Sequence, residues 1–342
     1  MKVLSVVGNR PQFIKSGPLS LALRDAGIDE VGLHTGQHWD AEMSAVFFDE
    51  LDLPEPAYRL DLHTADIDAM RPLIAEAVAH ERPDWVLVYG DTNSTLAGAQ
   101  AAGDVPVAHV EAGLRSFDLS MPEERNRVAV DKTSALLFCP DDRSAAQLER
   151  EGVAGRREIV GDVMRDALEL FLPVAQRTPA TYRKPYAVLT LHRESNTEPE
   201  RLRRLISELN ATGWTFVFPV HPRTRHILDE YGIRLAPTLQ PIDPLGYPDM
   251  LALVAGASRV VTDSGGLQKE AYWLGIPCVT LRKTTEWTET VSVGANTLVD
   301  PDEPTALGEV LTSAGFPPDP PPLYGDGHAS EKIASALLLG AG

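Results

Sequence analysis

Three carboxylates in the first half of this 342-residue chain stand where chemistry could use them. Glu111 leaves the apolar run Val105–Val110 and enters the small residues Ala112 and Gly113. Desolvation in such a crevice favours the neutral acid and suits acid/base work; the alternative is a buried ion pair with Arg115. Glu123 follows Met121-Pro122, where proline reads as the first position of a helix. There the positive end of the helix dipole favours the carboxylate, and plain acidic enrichment of a first turn, shared with Glu124, is the competing reading. Two carboxylates in opposed environments are the pattern of an acid/base pair. Asp91, in Gly90-Asp91-Thr92-Asn93-Ser94-Thr95, ends the apolar run Trp85–Tyr89, either as a functional group or as a helix cap.

A second group of residues points to an anion. Gly8-Asn9-Arg10-Pro11-Gln12-Phe13-Ile14-Lys15 joins a strand, a glycine turn, a proline of fixed φ and a helix start. This brings free N–H groups and the cations Arg10 and Lys15 to one place, which favours phosphate; the bland reading is a turn with solvated cations. In the second half, Asp263-Ser264-Gly265-Gly266 opens another helix after the strand Val260–Thr262, a second anion-binding N-terminus. Glu270, further along it, could accept from two ribose hydroxyls. His192 and His221 each close a short apolar run. The chain has neither GxxxxGK[ST] nor GxGxxG, so P-loop and dinucleotide readings lose their support. His34 and His38 stand four apart but in a loop, which argues against a metal site. No metal and no cofactor are expected.

The elements that must position these residues alternate. Apolar runs at Val3–Val7, Val31–His34, Trp85–Tyr89, Val105–Val110, Leu136–Phe138, Glu158–Val160, Ala187–Leu191, Phe216–Val220, Val260–Thr262 and Cys278–Leu281 read as strands buried on both faces. Between them, Ile67, Met70, Ile74, Ala77 and Val78 repeat at helical spacing, as do Leu202, Leu205, Ile206 and Leu209. The alternation predicts an α/β chain of two doubly wound, Rossmann-like halves. Pro173, Pro179 and Pro185 mark a linker at 173–185. The expected division is residues 1–172, joined by a C-terminal helix at 326–342, and residues 173–325. Ligands of such sheets bind at the carboxyl ends of the strands.

Composition excludes several functions. A formal net charge of -18 repels nucleic acid and anionic lipid, so an anionic substrate needs a local cluster of donors. No stretch approaches a membrane span, and the first apolar run is too short for a signal peptide. Cys139 and Cys278 lie far apart and read as free thiols of a reducing, cytoplasmic protein.

The segments GNRPQFIK, TGQHWDAEMS, GDTNSTLAG, HVEAGLRS, MPEERNR, VGDVMRDAL, PVHPRT, TDSGGLQKEA, TEWTE and YGDGHAS occur in this order. Through them the chain resembles the non-hydrolysing UDP-N-acetylglucosamine 2-epimerases over about residues 2–338. The resemblance implies the GT-B fold, with two lobes facing across a cleft, and a homodimer with a UDP-sugar substrate. It implies loss of the carbon 2 proton with expulsion of UDP, then re-addition from 2-acetamidoglucal. Asp91, Glu111 and Glu123 match the family's catalytic carboxylates, and His192 its essential histidine. Arg10, Lys15, Ser264, Gly265, Gly266 and Glu270 match its nucleotide-binding positions, and His221 is counted with them.

Ser195 and Trp287 depart from the common pattern, Met250 stands where an aromatic often meets uracil, and the segment Asp61–Met70 is shortened. The TEW form is closer to relatives acting on UDP-2,3-diacetamido-glucuronic acid. Readings of another class are a GT-B glycosyltransferase and a non-catalytic nucleotide-sugar-binding protein. The first has no evident need of three carboxylates together in the N-terminal half.

Overall fold

The computed structural model describes residues 1–37, 55–177, 182–303 and 306–340. It divides into two units, 1–170 with 324–342, and 171–323. The division falls inside the helix Val163–Arg177, ahead of the proline-marked stretch. Pro173 lies within that helix rather than in a linker, and residues 178–181 are outside the described residues.

The first unit holds a seven-stranded sheet. Its strands are β1 (Lys2–Val7), β2 (Asp29–His34), β3 (Tyr58–Arg59), β4 (Trp85–Tyr89), β5 (Val107–Val110), β6 (Leu136–Cys139) and β7 (Arg156–Ile159). Their order is β3-β2-β1-β4-β5-β6-β7, and every pairing is parallel. The second unit holds β8 (Ala187–Thr190), β9 (Phe216–Pro219), β10 (Leu239–Ile242), β11 (Arg259–Thr262), β12 (Cys278–Leu281) and β13 (Asn296–Val299), ordered β10-β9-β8-β11-β12-β13. In each sheet the order reverses once, between β1 and β4 and between β8 and β11. The strand ends there open the crevice in which doubly wound sheets bind ligands.

Periodicity explains how helices cover the sheets. Pro199–Ala211 buries Leu202, Leu205, Ile206 and Leu209, and Glu198 caps it by accepting from the backbone N–H groups of Glu200 and Arg201. These leucines and the isoleucine share one core with Leu189, Phe216 and Val261. Ile67–Glu81 buries Met70, Ile74, Ala77 and Val78 in the same way, against Val6, Val86 and Val88.

The C-terminal helix Ala329–Gly340 returns to the first unit. Its Ile333, Ala334 and Leu337 join the core formed by Leu19, Leu23 and Trp85. Residues of two sequence signatures, VGDVMRDAL and YGDGHAS, meet in this docking. Asp166 accepts from the N–H groups of Ala329 (3.1 Å) and Ser330 (2.6 Å), closing the helix N-terminus, while the Asp162 N–H donates to the Tyr324 carbonyl at 2.9 Å. Gly325, at φ +96°, passes so close that a Cβ there would sit 2.7 Å from the Gly161 Cα.

Gly325→Ala is therefore expected to cost about 1–3 kcal/mol through overpacking and an unfavourable φ. It should lower the thermal midpoint and raise hydrogen exchange over residues 329–340. Wild-type protection there would show that the two glycines do not set the docking.

Candidate active site

In the first unit, the loops after β1 and β4 are tied together by one amide. Gln12, 2% exposed, accepts from the Gly8 N–H at 2.7 Å. Its Nε2 donates to the Tyr89 carbonyl (2.7 Å) and to the hydroxyls of Thr95 (2.9 Å) and Thr92 (3.0 Å). Gly8 is required by closeness, since a Cβ would fall 1.9 Å from Ser94 Oγ. Asn9 caps the helix Arg10–Asp25, with Pro11 in its first turn. Arg10 opens this helix, and its side chain is outside the described residues. His38 lies outside them as well. His34 stacks on Phe13 at 4.6 Å and accepts from the Gly36 N–H at 2.9 Å. Burial lowers its pKa to about 4.

Glu111 follows β5 with φ +72°, a left-handed conformation unfavourable for a non-glycine residue. Its carboxylate forms an ion pair with Lys15, both side chains nearly enclosed. Lys15 thus meets a carboxylate. Burial alone would lower its pKa, but Glu111, Asp162 and Asp91 outweigh this and raise it. The ion pair with Arg115 considered for Glu111 is not made. Arg115 instead reaches Asp131 at 2.7 Å and Glu151 through two bonds, at 2.9 and 2.7 Å.

Asp91 is not the cap of its helix. Thr92 is, in a capping box with Thr95, which leaves the Asp91 carboxylate to pair with Arg127. The Asn126 amide donates to the Asp91 carbonyl at 3.0 Å and to Asn93 Oδ1 at 2.9 Å. The helix Pro122–Thr133 begins with Glu123 exposed and Glu124 buried. Glu124 accepts from the N–H groups of Ser116 and Phe117, from the Ser116 hydroxyl and from Arg127. Of the two acidic neighbours, Glu124 is a strut and Glu123 stands open at the helix N-terminus.

In the second unit the organising group is Asp263, fully buried at the end of β11. It accepts from the N–H groups of His192 (3.0 Å) and Arg193 (3.0 Å) and from the Asn196 amide (3.2 Å). It also meets His192 Nδ1 at 3.0 Å. Burial pushes its pKa up, yet His192 and these N–H groups hold it below the ordinary carboxylate range. A carboxylate on Nδ1 fixes the ring and directs Nε2 outward. His221 lies 5.9 Å away, ring to ring. It caps its own helix by accepting from the Arg223 N–H, and burial followed by His192 lowers its pKa.

Ser264 caps the helix Gly265–Trp273, whose first residues Gly265 and Gly266 lie at the surface end. Added Cβ atoms would meet only Glu286 Oε1 (3.4 Å) and Trp287 Nε1 (3.6 Å) at Gly265, and nothing within 4 Å at Gly266. This N-terminus is open to an anion. Glu270 is buried further along the helix, and Lys269 lies over the Trp287 ring at 3.8 Å.

Sequence reasoning overlooked Gln12, His109, Arg127, Asp131 and Asp263. The available signal was a polar residue inside or at the end of an apolar run, as with His109 and Asp263. Among the described residues no group of three or more His, Cys, Asp or Glu is arranged to hold a metal. Nor is any described helix long and apolar enough to cross a membrane.

The family described as Epimerase_2, UDP-N-acetylglucosamine 2-epimerase, matches residues 22–338. A UDP-2,3-diacetamido-2,3-dideoxy-D-glucuronate 2-epimerase of Pseudomonas aeruginosa is 44% identical, over 98% of this chain and 99% of that protein. A UDP-N-acetylglucosamine 2-epimerase of Methanocaldococcus jannaschii is 36% identical, over 99% of this chain and 100% of that one. The crystal structure of the M. jannaschii UDP-GlcNAc 2-epimerase in complex with UDP-GlcNAc and UDP superposes with a TM-score of 0.92, at 36% identity, over 99% of this chain and 100% of that one. The two parallel-sheet α/β units are those of the GT-B class.

Asp131 and Asp263 both titrate below an ordinary carboxylate. Their stabilisation is present above the unfolded value of about 3.9 and lost as pH falls through the lower folded values. Lys15, raised, contributes below about 10.4 and loses its contribution as pH rises through its folded value. Acid unfolding followed by circular dichroism should thus show a less steep limb in Asp263→Asn, with a lower midpoint at neutral pH. An unchanged acid limb would contradict the assignment.

Proposed function

We propose that this chain, which belongs to the UDP-N-acetylglucosamine 2-epimerase family, inverts carbon 2 of UDP-N-acetylglucosamine to give the manno epimer. It is an isomerase. A base takes the carbon 2 proton while the carbon 1–oxygen bond breaks, leaving 2-acetamidoglucal and UDP. UDP adds back at carbon 1 as a proton is delivered to carbon 2 from the opposite face, so atoms and charge balance and no other reactant is consumed. The observation that carries the reading is the match over nearly the whole chain to an epimerase crystallised with UDP-GlcNAc and UDP.

The assigned residues follow the chemistry. A proton beside an amide-bearing carbon is barely acidic, so negative charge arriving on the diphosphate must be met as it forms. His192, Arg10 and the Ser264–Gly266 amides are assigned that task, with His221 beside His192. Glu270 is assigned to the ribose. Asp91, Glu111 and Glu123 are assigned the proton transfers. The strained backbone of Glu111 supports this, because such strain collects where function demands it. Lys15 is reassigned from phosphate to holding Glu111, as their ion pair suggests. The same reading carries a homodimer and a cytoplasmic location, with two buried free thiols suited to a reducing compartment. Residues 1–172 with 326–342, and 173–325, remain the proposed working lobes.

Incubated with UDP-N-acetylglucosamine in deuterated water, the protein is expected to gain one deuteron at carbon 2 and form the manno epimer. The diacetamido-glucuronate sugar nucleotide, run alongside, tests the substrate of the 44% identical relative. Failure to label either substrate would remove the epimerase reading. Glu111→Gln and Glu123→Gln should each slow exchange at least about 100-fold with UDP still bound. Normal exchange in either variant would withdraw that residue's role.

A further inference from the structure

His109 is wholly buried on β5, two residues before Glu111, and each of its ring nitrogens faces an acceptor. Nε2 lies 2.7 Å from the Gly90 carbonyl, and Nδ1 lies 2.7 Å from Asp131 Oδ1. A carbonyl oxygen cannot donate, so Nε2 carries a proton. Asp131 also accepts from the Gly113 N–H at 3.2 Å and from Arg115 at 2.7 Å. Burial would raise its pKa, but His109 and Arg115 hold it below the ordinary range. With Arg115 and the Gly113 N–H both donating to its Oδ2, Asp131 is held as the anion, so Nδ1 carries a proton too, and a ring with both protons is an imidazolium.

The surroundings balance this charge inside the fold. Arg115 bridges Asp131 to Glu151, so His109 and Arg115 stand against two carboxylates. On the neighbouring β6, burial pushes the Cys139 thiol up to about 12, so it stays neutral.

In front of the ring is the chemistry. Gly90, at φ +64°, carries the bonded carbonyl and directly precedes Asp91. A Cβ at Gly90 would lie 3.5 Å from Glu111 Oε2 and 3.7 Å from Lys15 Nζ. The Gly90 peptide is thus the wall between the imidazolium and the Glu111–Lys15 pair.

We propose that His109 is a positioning residue for the epimerisation, a buried imidazolium whose Nε2–H fixes the Gly90–Asp91 turn against the Glu111–Lys15 pair. A neutral ring has one N–H and would leave either the Gly90 carbonyl or Asp131 Oδ1 without the ring as its donor, a costly state in a dry interior. Charge and geometry are therefore one device: while the ring stays charged, Asp91 and Glu111 keep their relative placement. This rests on the epimerase reading of Asp91 and Glu111, whereas the protonation of the ring does not.

The test uses the full-length chain. Nitrogen-15 NMR of histidine-labelled protein should show one ring with both nitrogens protonated at neutral pH, where an ordinary histidine of pKa about 6.5 is mostly neutral. That signal should vanish in His109→Asn. Asparagine can keep a donor toward Asp131 but cannot reach the Gly90 carbonyl, so kcat should fall about 100-fold with KM nearly unchanged. His109→Gln, whose amide nitrogen reaches about as far as Nε2, should recover about tenfold of that loss. UDP binding should persist in both variants.

A neutral ring in the wild type overturns the proposal. So does a rise in KM at unchanged kcat, or loss of UDP binding together with activity in both variants, which would mark a merely structural histidine. A wild type that labels no sugar nucleotide removes the epimerase reading and the positioning role with it, yet leaves the ring's protonation to be read separately by NMR.

Discussion

An ionised carboxylate taken out of water must be surrounded by donors, and in this protein the donors come from the loops at the strand ends. Asp131 and Asp263, one in each unit, have no exposed surface. Asp131 draws in His109, the Gly113 N–H and Arg115, and so folds the loop after β5 onto the helix Pro122–Thr133. Asp263 draws in the backbone of His192 and Arg193 and the Asn196 amide, folding the loop after β8 onto the end of β11. Removing either anion would strand several buried N–H groups at once, a cost well above that of one ordinary hydrogen bond. The loops owe their shape to this accounting more than to any preference of their own sequence.

The same accounting separates residues proposed to act from residues that hold. Glu124 is saturated by Ser116, Phe117 and Arg127, and Gln12 by the ends of β1 and β4. A group with every lone pair engaged is a strut. Glu111, held in a left-handed conformation beside Lys15, and Glu123, exposed at a helix N-terminus, are the two carboxylates proposed for proton transfer that are not built into such a strut.

Some strands were invisible to pattern reading. β3 is two residues long, and β10 carries an exposed Gln240-Pro241 pair at the edge of its sheet. An edge strand is buried on fewer sides, so its sequence need not be apolar, and proline is tolerated where no ladder partner waits. β13 begins with Asn296, whose side chain bonds to Gln268 and Thr280 in the interior, a burial that a hydrophobicity pattern cannot register. The linker expected at 173–185 begins inside a helix for a related reason. A proline can remain in a helix when packing holds the turn around it, and Val163–Arg177 runs straight through.

From the residues in order come the alternation of buried strands and amphipathic helices, the glycine and proline turns at strand ends, and the signatures that carry the family. All of these are local, fixed by periods of two and 3.6 residues and by the special backbones of two residue types. Tertiary structure alone decided the pairings: Lys15 with Glu111, Arg127 with Asp91, Arg115 with Asp131, and Asp263 beneath His192. The partners lie from 16 to 96 residues apart in the chain. Spacing along a sequence carries no information about which donor fills which buried acceptor, because that choice is made only when strand order brings the ends together and water is driven out.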